Sequence, residues 1–312
     1  MSDRDPVSVL LPTVEWTAAC DQMAEQLDED DEMLVICDSE DDPVTDRKTP
    51  PGVETLVAGD PVACSGKANA IAHGLEHASN DRFVWTDADF DRADDWLDEL
   101  VAAGETHGPA TAIMFYYGGG FWAPMEPWTA MLISLGLYLN VGTAGDLAWG
   151  GGLTFTRAEL DVSVAELAAE LRQVVADDVL TAQHLDDIHP VRSLVMPVAV
   201  PGDARSSYYR LLRLGRQAHV HEGMYGDLVV ATAAVAAAIA FPIPVAVIVT
   251  VATGLAYLLM GVRRPTFLLS FLGLFALPVI VLSCIVCSEF EWAGRRYRLV
   301  SEYEVEVLGE DD

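Results

Sequence analysis

The chain has 312 residues and carries 48 Asp and Glu against 18 Lys and Arg, a formal charge of −30. That length accommodates one α/β domain of roughly 220 residues and a further hydrophobic region. So strong a negative field opposes binding to phosphate backbones and excludes nucleic acid as a partner. The acid, including the run Asp28-Glu-Asp-Asp-Glu32, reads as a surface adapted to high salt, where screening shortens self-repulsion. Five scattered cysteines read as buried thiols, since the close pair Cys284 and Cys287 sits in an apolar run with no second ligand pair nearby. The N-terminus shows no apolar stretch behind a basic start, so no signal peptide is expected and the first domain is expected in the cytosol.

In chain order, a first strand is predicted over residues 7–11 and a helix over 17–27. The next strand, 33–37, ends on Asp38. In open α/β sheets ligands bind beyond the carboxyl ends of strands, where a carboxylate can accept a hydrogen bond from a base or ribose. The acidic, proline-containing segment 39–59 reads as a loop with one short strand. Gly66-Lys67-Ala-Asn69 then enters a helix over 67–77. Lys67 is one of only two lysines, the other being Lys48, and an ammonium at a helix start suits a diphosphate. Strand 83–86 delivers Asp87 and Asp89, spaced so that both approach one hard cation that neutralises a diphosphate leaving group.

A helix over 93–103 and a strand over 110–115 follow. The aromatic and apolar stretch 121–139 reads either as core or as an interfacial helix admitting a lipid acceptor. After a strand over 152–156, a helix over 164–185 contains Asp177-Asp178, a carboxylate pair able to deprotonate an acceptor hydroxyl. A strand over 194–198 closes the series. Strand–helix alternation of this kind predicts an α/β fold with a mostly parallel, doubly wound sheet.

Composition changes after Gly226: residues 228–260 are 33 uncharged positions, Arg263 and Arg264 interrupt, and residues 265–288 are uncharged again. A membrane span needs about 20 apolar residues. The second run suits one tilted span, whereas the first, with Phe241-Pro-Ile-Pro244 in its middle, reads as one kinked helix or a hairpin. Arg210, Arg213 and Arg216 on one side and Arg295, Arg296 and Arg298 on the other place both flanks in the cytosol and require an even number of crossings. Two crossings would leave Arg263 and Arg264 outside, and four would need very short spans. Arg210 and Arg213, three apart on one helix face, suit either phosphate on a donor or lipid acceptor, or anionic headgroups.

Taken together these segments resemble the inverting glycosyltransferases of the GT-A fold, nearest the ceramide glucosyltransferase-like group with its C-terminal membrane region. The resemblance rests on Cys37-Asp38-Ser-Glu-Asp-Asp42-Pro43, Gly66-Lys67-Ala-Asn69, Trp85-Thr-Asp87-Ala-Asp89, Gly150-Gly-Gly-Leu-Thr-Phe-Thr-Arg157, Asp177-Asp178, Arg210-Leu-Leu-Arg213-Leu214 and Trp292-Ala-Gly-Arg-Arg-Tyr297. Leu214 stands where that group has a tryptophan. The resemblance implies a cytosolic GT-A-like domain over 1–225, transmembrane helices over 226–288 and a cytosolic tail over 289–312. It implies a metal-dependent, inverting hexosyltransferase making glycolipid. Asp38, Lys67 and Asp87 would bind the nucleotide-sugar donor, Asp87 and Asp89 would hold Mn²⁺ or Mg²⁺, Asp178 would be the base, and Arg210 and Arg213 would serve a lipid or lipid-linked acceptor at the cytosolic leaflet of the cell membrane. A catalytically silent membrane assembly subunit and a membrane nucleotidyltransferase are the competing readings.

Overall fold

The apolar runs at the front of the chain become the centre of a sheet. In a computed structural model describing residues 4–141, 148–218, 224–301 and 304–310, the elements are β1 (Val7–Pro12), α1 (Ala18–Ala24), β2 (Glu32–Cys37), β3 (Val53–Val57), α2 (Gly66–His77), β4 (Arg82–Thr86), α3 (Trp96–His107) and β5 (Ala110–Gly118). There follow α4 (Glu126–Thr129), a π-helical turn (Ala130–Ser134), α5 (Leu135–Leu139), β6 (Gly152–Thr156), α6 (Val164–Leu171), α7 (Asp177–Ala182) and β7 (His189–Val200). Seven strands form one sheet in the order β3-β2-β1-β4-β6-β5-β7. β1, β2, β3 and β4 run parallel, and β6 is antiparallel to both β4 and β5. Parallel strands are covered on both faces, so they read as unbroken apolar runs, and every residue of β4 is buried. The register Leu10 with Trp85 and Pro12 with Ile36 brings the carboxyl ends of β2 and β4, hence Asp38 and Asp87, to the same edge.

Two compact units divide the chain, Met1–Met114 with Leu137–Pro197, and Phe115–Gly136 with Val198–Asp312. The division falls inside β5 and β7 and does not follow the composition change at residue 226. β7, shared by the two units, covers 12 residues, far beyond the expected 194–198, and from Leu194 onward alternates more and less buried positions as an edge strand does. The expected single helix over 164–185 is instead two, α6 and α7. The break arises because the backbone oxygens of Val174 and Val175 are taken by Ser65, through its N–H at 3.0 Å and its hydroxyl at 2.8 Å, which pulls the chain out of helix just before Asp177. Asp31 departs from the solvated acid around it: it is buried and pairs with Arg4 at 2.5 Å. Four of the five free cysteines are buried and Cys287 is half-buried.

His184, in the turn after α7, sits between Asp161 (2.7 Å) and Glu170 (2.8 Å), tying that turn to α6 and the segment before it. Burial alone would lower its pKa, but the hydrogen bonds to these two carboxylates outweigh it and raise it. A raised histidine stabilises the fold fully below its unfolded pKa and loses that contribution as pH rises through the folded value. His184→Gln is therefore expected to cost about 0.2–1 kcal/mol at pH 5.5 and less at pH 9. Urea unfolding of both proteins at the two pH values checks this; a difference that grows with pH contradicts it.

The second unit contains α8 (Ala204–Ala218), α9 (Met224–Ala240), α10 (Pro242–Leu259), α11 (Ser270–Leu274) and α12 (Leu277–Val286). β8 (Glu289–Trp292), β9 (Arg295–Ser301) and β10 (Glu304–Glu310) follow, where a tail was expected; they form a three-stranded antiparallel sheet, with residues 302–303 and 311–312 of that tail outside the described residues. α10 is 18 residues long and apolar enough to cross a membrane; α9 is apolar but shorter. The second uncharged run is not one straight helix: Pro265–Leu274 and Leu277–Val286 meet at 62°.

Candidate active site

The carboxyl edge of the parallel strands gathers one cation and several carboxylates. Lys67 lies in the first turn of α2, whose N-cap Ser65 accepts the Ala68 N–H at 3.0 Å. The same Ser65 holds the segment before α7, so one residue positions both Lys67 and the Asp177-Asp178 pair. Lys67 Nζ is 2.6 Å from Asp87 Oδ1 and 3.5 Å from Asp177 Oδ2. Burial alone would lower the Lys67 pKa, but Asp177, Asp87 and Asp178 outweigh it and hold the ammonium well above its usual range. Burial pushes the Asp177 carboxyl up, opposed by Lys67. Asp177 is buried, and its Oδ2 accepts no hydrogen bond from the described residues. Asp178 is half-buried, and its Oδ2 accepts the Gly150 N–H at 3.1 Å while its Oδ1 accepts the Val179 N–H at 2.9 Å.

Two glycines allow the start of β6 to reach this cluster. A Cβ on Gly150 would come within 2.7 Å of Asp177 Oδ2 and 2.9 Å of Lys67 Nζ; one on Gly151 would meet Asp87 Oδ2 at 2.7 Å and the Trp149 ring closer still. Gly150→Ala is expected to displace the Lys67 ammonium, with a stability cost of about 1–3 kcal/mol for overpacking. If the cluster is catalytic, a displacement of this size lowers turnover by about 10²-fold. Thermal unfolding and turnover measured on the same preparation test this; unchanged turnover contradicts it.

The turn carrying Asp87 and Asp89 has an internal brace that sequence reasoning missed. Arg92 is buried and donates to the Thr86 hydroxyl at 2.5 Å and to the Asp87 carbonyl oxygen, while its guanidinium lies 4.1 Å from the Phe90 ring centre. Burial lowers its pKa to about 10, so it remains a cation at neutral pH. It fixes the backbone from which the Asp87 side chain projects towards Lys67 and that of Asp89 stands exposed. Its position three residues beyond Asp89 was the available signal, masked by the neighbouring acids. Asp38 is half-buried at the end of β2, and the Asp42 carboxylate accepts the N–H groups of Asp38 (2.9 Å) and Ser39 (2.8 Å), shaping the loop at that edge. Asn69 donates to the Gly59 carbonyl oxygen at 2.8 Å and thereby fixes the loop after β3.

Among the described residues no three His, Cys, Asp or Glu side chains converge on one cation position. Asp87 and Asp89 offer two hard oxygen ligands, the pattern of a site that holds Mg²⁺ or Mn²⁺ jointly with substrate phosphates and water. Arg210 and Arg213 belong to the second unit. There the Arg210 guanidinium lies 5.2 Å from the Tyr116 ring centre and that of the buried Arg213 lies 4.1 Å from that of Trp292. Both pairings put the planar fork of arginine on an aromatic face.

Solved structures similar to this chain include glucosyl-3-phosphoglycerate synthase from Mycobacterium tuberculosis in complex with Mn²⁺, UDP-glucose and phosphoglyceric acid. It is 20% identical, with a TM-score of 0.40 over 60% of this chain and 69% of that one. The same protein with Mn²⁺ and UDP-glucose is 17% identical, with a TM-score of 0.42 over 70% and 80%. A further structure, described as a mycobacterial protein, is 16% identical, with a TM-score of 0.42 over 70% and 76%. No curated protein matches the chain. Over residues 63–144, the stretch that carries Lys67, Asp87 and Asp89, the chain matches the model of the family described as Glycosyl transferase family 2.

Proposed function

We propose that this chain is a metal-dependent, inverting glycosyltransferase that moves a sugar from a nucleotide-sugar to a lipid or lipid-linked acceptor at a membrane face. The observation that carries the reading is the convergence of Lys67, Asp87, Asp177 and Asp178 at the carboxyl edge of parallel strands, within and beside a segment matching a glycosyltransferase family. Asp38 lies at the same edge, where a base or ribose would be recognised. Lys67 faces the donor diphosphate, its charge maintained by the acids around it. Asp87 and Asp89 would hold Mn²⁺ or Mg²⁺; bound there, the ion neutralises charge on the departing nucleoside diphosphate. Asp178, exposed enough to meet an acceptor and oriented by Gly150, takes the proton from the attacking hydroxyl. Attack on the face opposite the leaving group inverts the anomeric carbon.

The membrane part of the reading is supported by α10 and by the exposed apolar side chains of α9 to α12, among them Val229, Ile239, Val247, Ile248, Leu258 and Val279. A soluble protein rarely leaves so continuous an apolar surface in water. Arg210, half-buried on the Tyr116 face, suits an acceptor phosphate or anionic headgroups, whereas Arg213 is buried against Trp292 and supports that role less.

The site reading is tested by calorimetric titration of nucleoside diphosphates with and without Mn²⁺, in high salt because of the acidic surface. The wild-type chain is expected to bind one of them more tightly with Mn²⁺, and Asp89→Ala to lose that increment while unfolding at the wild-type temperature. Binding that is equal with and without the ion removes Asp87 and Asp89 from the metal role.

A further inference from the structure

We infer that the C-terminal apolar module enters one leaflet of the bilayer and returns, so that no part of this chain between α8 and β8 reaches the opposite face. The inference rests on the membrane reading above and gives it a topology. It begins with Glu126, a fully buried carboxylate in α4. Glu126 Oε1 accepts from Arg264 Nε at 2.8 Å, from the Tyr257 hydroxyl at 3.3 Å and from the Thr266 hydroxyl, and its Oε2 accepts the Gly118 N–H at 3.1 Å. Gly118 ends β5, and residues 118–126 are too few to cross a bilayer. Arg264, the charge between the two apolar runs, is therefore on the same side as the end of β5, not outside.

The second apolar run is tied down near both of its ends. Trp128 Nε1 donates to the Ser270 carbonyl oxygen at 2.9 Å. At the far end Arg216, in α8, donates to the Cys284 carbonyl oxygen at 2.9 Å and to that of Leu299, in β9, at 3.1 Å. A segment bent by 62° between such anchors cannot be the tilted span that its composition allows. Residues 265–286 instead lie at the near interface, with Leu268, Leu272, Val279 and Leu282 exposed towards lipid.

Only the α9–α10 hairpin projects further, and its free length is short. Thr253 donates to the Phe267 carbonyl oxygen at 3.4 Å and Thr250 lies 3.5 Å from Ser270, so the lower part of α10 runs beside the anchored segment. The buried residues of α10, Thr253, Ala256 and Tyr257, all lie in that part. From Thr250 to Pro242 the helix extends about 12 Å beyond the last anchor at 1.5 Å per residue. One leaflet of hydrocarbon is about 15 Å deep.

The tip itself is built for hydrocarbon. Phe241 and Ile243 are 64% and 77% exposed, and the turn Phe241-Pro-Ile-Pro244 has no polar side chain. Backbone N–H groups at a helix start normally need water or a cap, which lipid cannot supply. Here Pro242 and Pro244 have no N–H, the N–H groups of Phe241 and Val245 donate to Ala237 (2.7 Å) and Phe241 (3.1 Å) carbonyl oxygens, and only the Ile243 N–H of this turn is left to be satisfied. With two donors removed by proline and two paired, the turn enters hydrocarbon at a lower cost than an ordinary helix start.

The full chain with Phe241→Cys, and separately Ile243→Cys and Arg263→Cys, would be placed in sealed phosphatidylcholine–phosphatidylglycerol vesicles and exposed to a membrane-impermeant maleimide on each face in turn. Each would carry Cys287→Ser as well, since the other four native cysteines are buried. A bimane label attached at position 241 would then be quenched with doxyl lipids carrying the nitroxide at shallow or deep positions. The expected result is loss of labelling at positions 241 and 243 from both faces until detergent is added, with deeper nitroxides quenching best. Position 263 is expected to be labelled from the face that carries the catalytic unit. Labelling of the tip from the opposite face overturns the one-leaflet topology and leaves the membrane reading standing, as does labelling of position 263 from that face. Release of the protein by an alkaline carbonate wash, with the tip thiols open to the aqueous reagent, overturns both.

Discussion

Asp178→Asn is expected to lower kcat by about 10²–10⁴-fold, the contribution of a positioned general base. The substitution is close to isosteric, but the single amide oxygen can replace only one of the two carboxylate oxygens that accept the Gly150 N–H (3.1 Å) and the Val179 N–H (2.9 Å). Donor binding is expected to match the wild-type value, stability to fall by only about 1 kcal/mol for the lost hydrogen bond, and the large loss to fall on turnover. Single-turnover transfer, read beside a calorimetric donor titration, separates these quantities. Wild-type turnover in the variant removes Asp178 from the base role and turns attention to its buried neighbour Asp177.

Lys67→Met is expected to destabilise the chain by about 3–5 kcal/mol, because removing one member of a buried ion pair leaves the other uncompensated. Of the two carboxylates left behind, Asp87 is partly exposed, and the costly one is Asp177, whose side chain is 3% exposed and whose Oδ2 faces Lys67 Nζ at 3.5 Å. Replacing both partners removes the stranded charge, so Lys67→Met with Asp177→Asn is expected to recover most of that stability. It is not expected to recover activity, since the donor diphosphate would still lack its cation. Urea unfolding of the single and double variants, with turnover measured on each, tests the two halves separately. Recovery of activity in the double variant would make Lys67 a structural counter-ion only.

The central sheet was legible because its parallel strands are buried on both faces and must be largely apolar, as the runs over 7–11, 33–37 and 83–86 are apart from Ser8 and Thr86. The break between α6 and α7 was not legible, because it depends on Ser65 reaching across 110 positions to the Val175 carbonyl oxygen. The short strands β8 to β10 carry so many charges that their alternation is faint, and the ion pairs of Arg298 with Glu289 and Glu306 appear only once the strands are paired. Among the candidate site residues, Asp38, Lys67, Asp87 and Asp178 could be picked out because each follows a strand or opens a helix, and Asp89 by its spacing from Asp87. Gly150, Gly151 and Arg92 could not, because their roles are a close approach and a buried brace that no spacing encodes. Arg264 read as an interruption between apolar runs; its partner Glu126 lies 138 positions away.

The account is tested most directly by incubating the purified full chain, in high salt with Mn²⁺ or Mg²⁺, with a panel of nucleotide-sugars and membrane lipid extract. It predicts metal-dependent release of a nucleoside diphosphate from one donor together with transfer of that sugar to the lipid fraction, both lost in Asp89→Ala. Release of pyrophosphate instead would place the chemistry at a nucleotidyl group, and no release from any donor by the folded protein would contradict an enzymatic role and favour a silent membrane subunit.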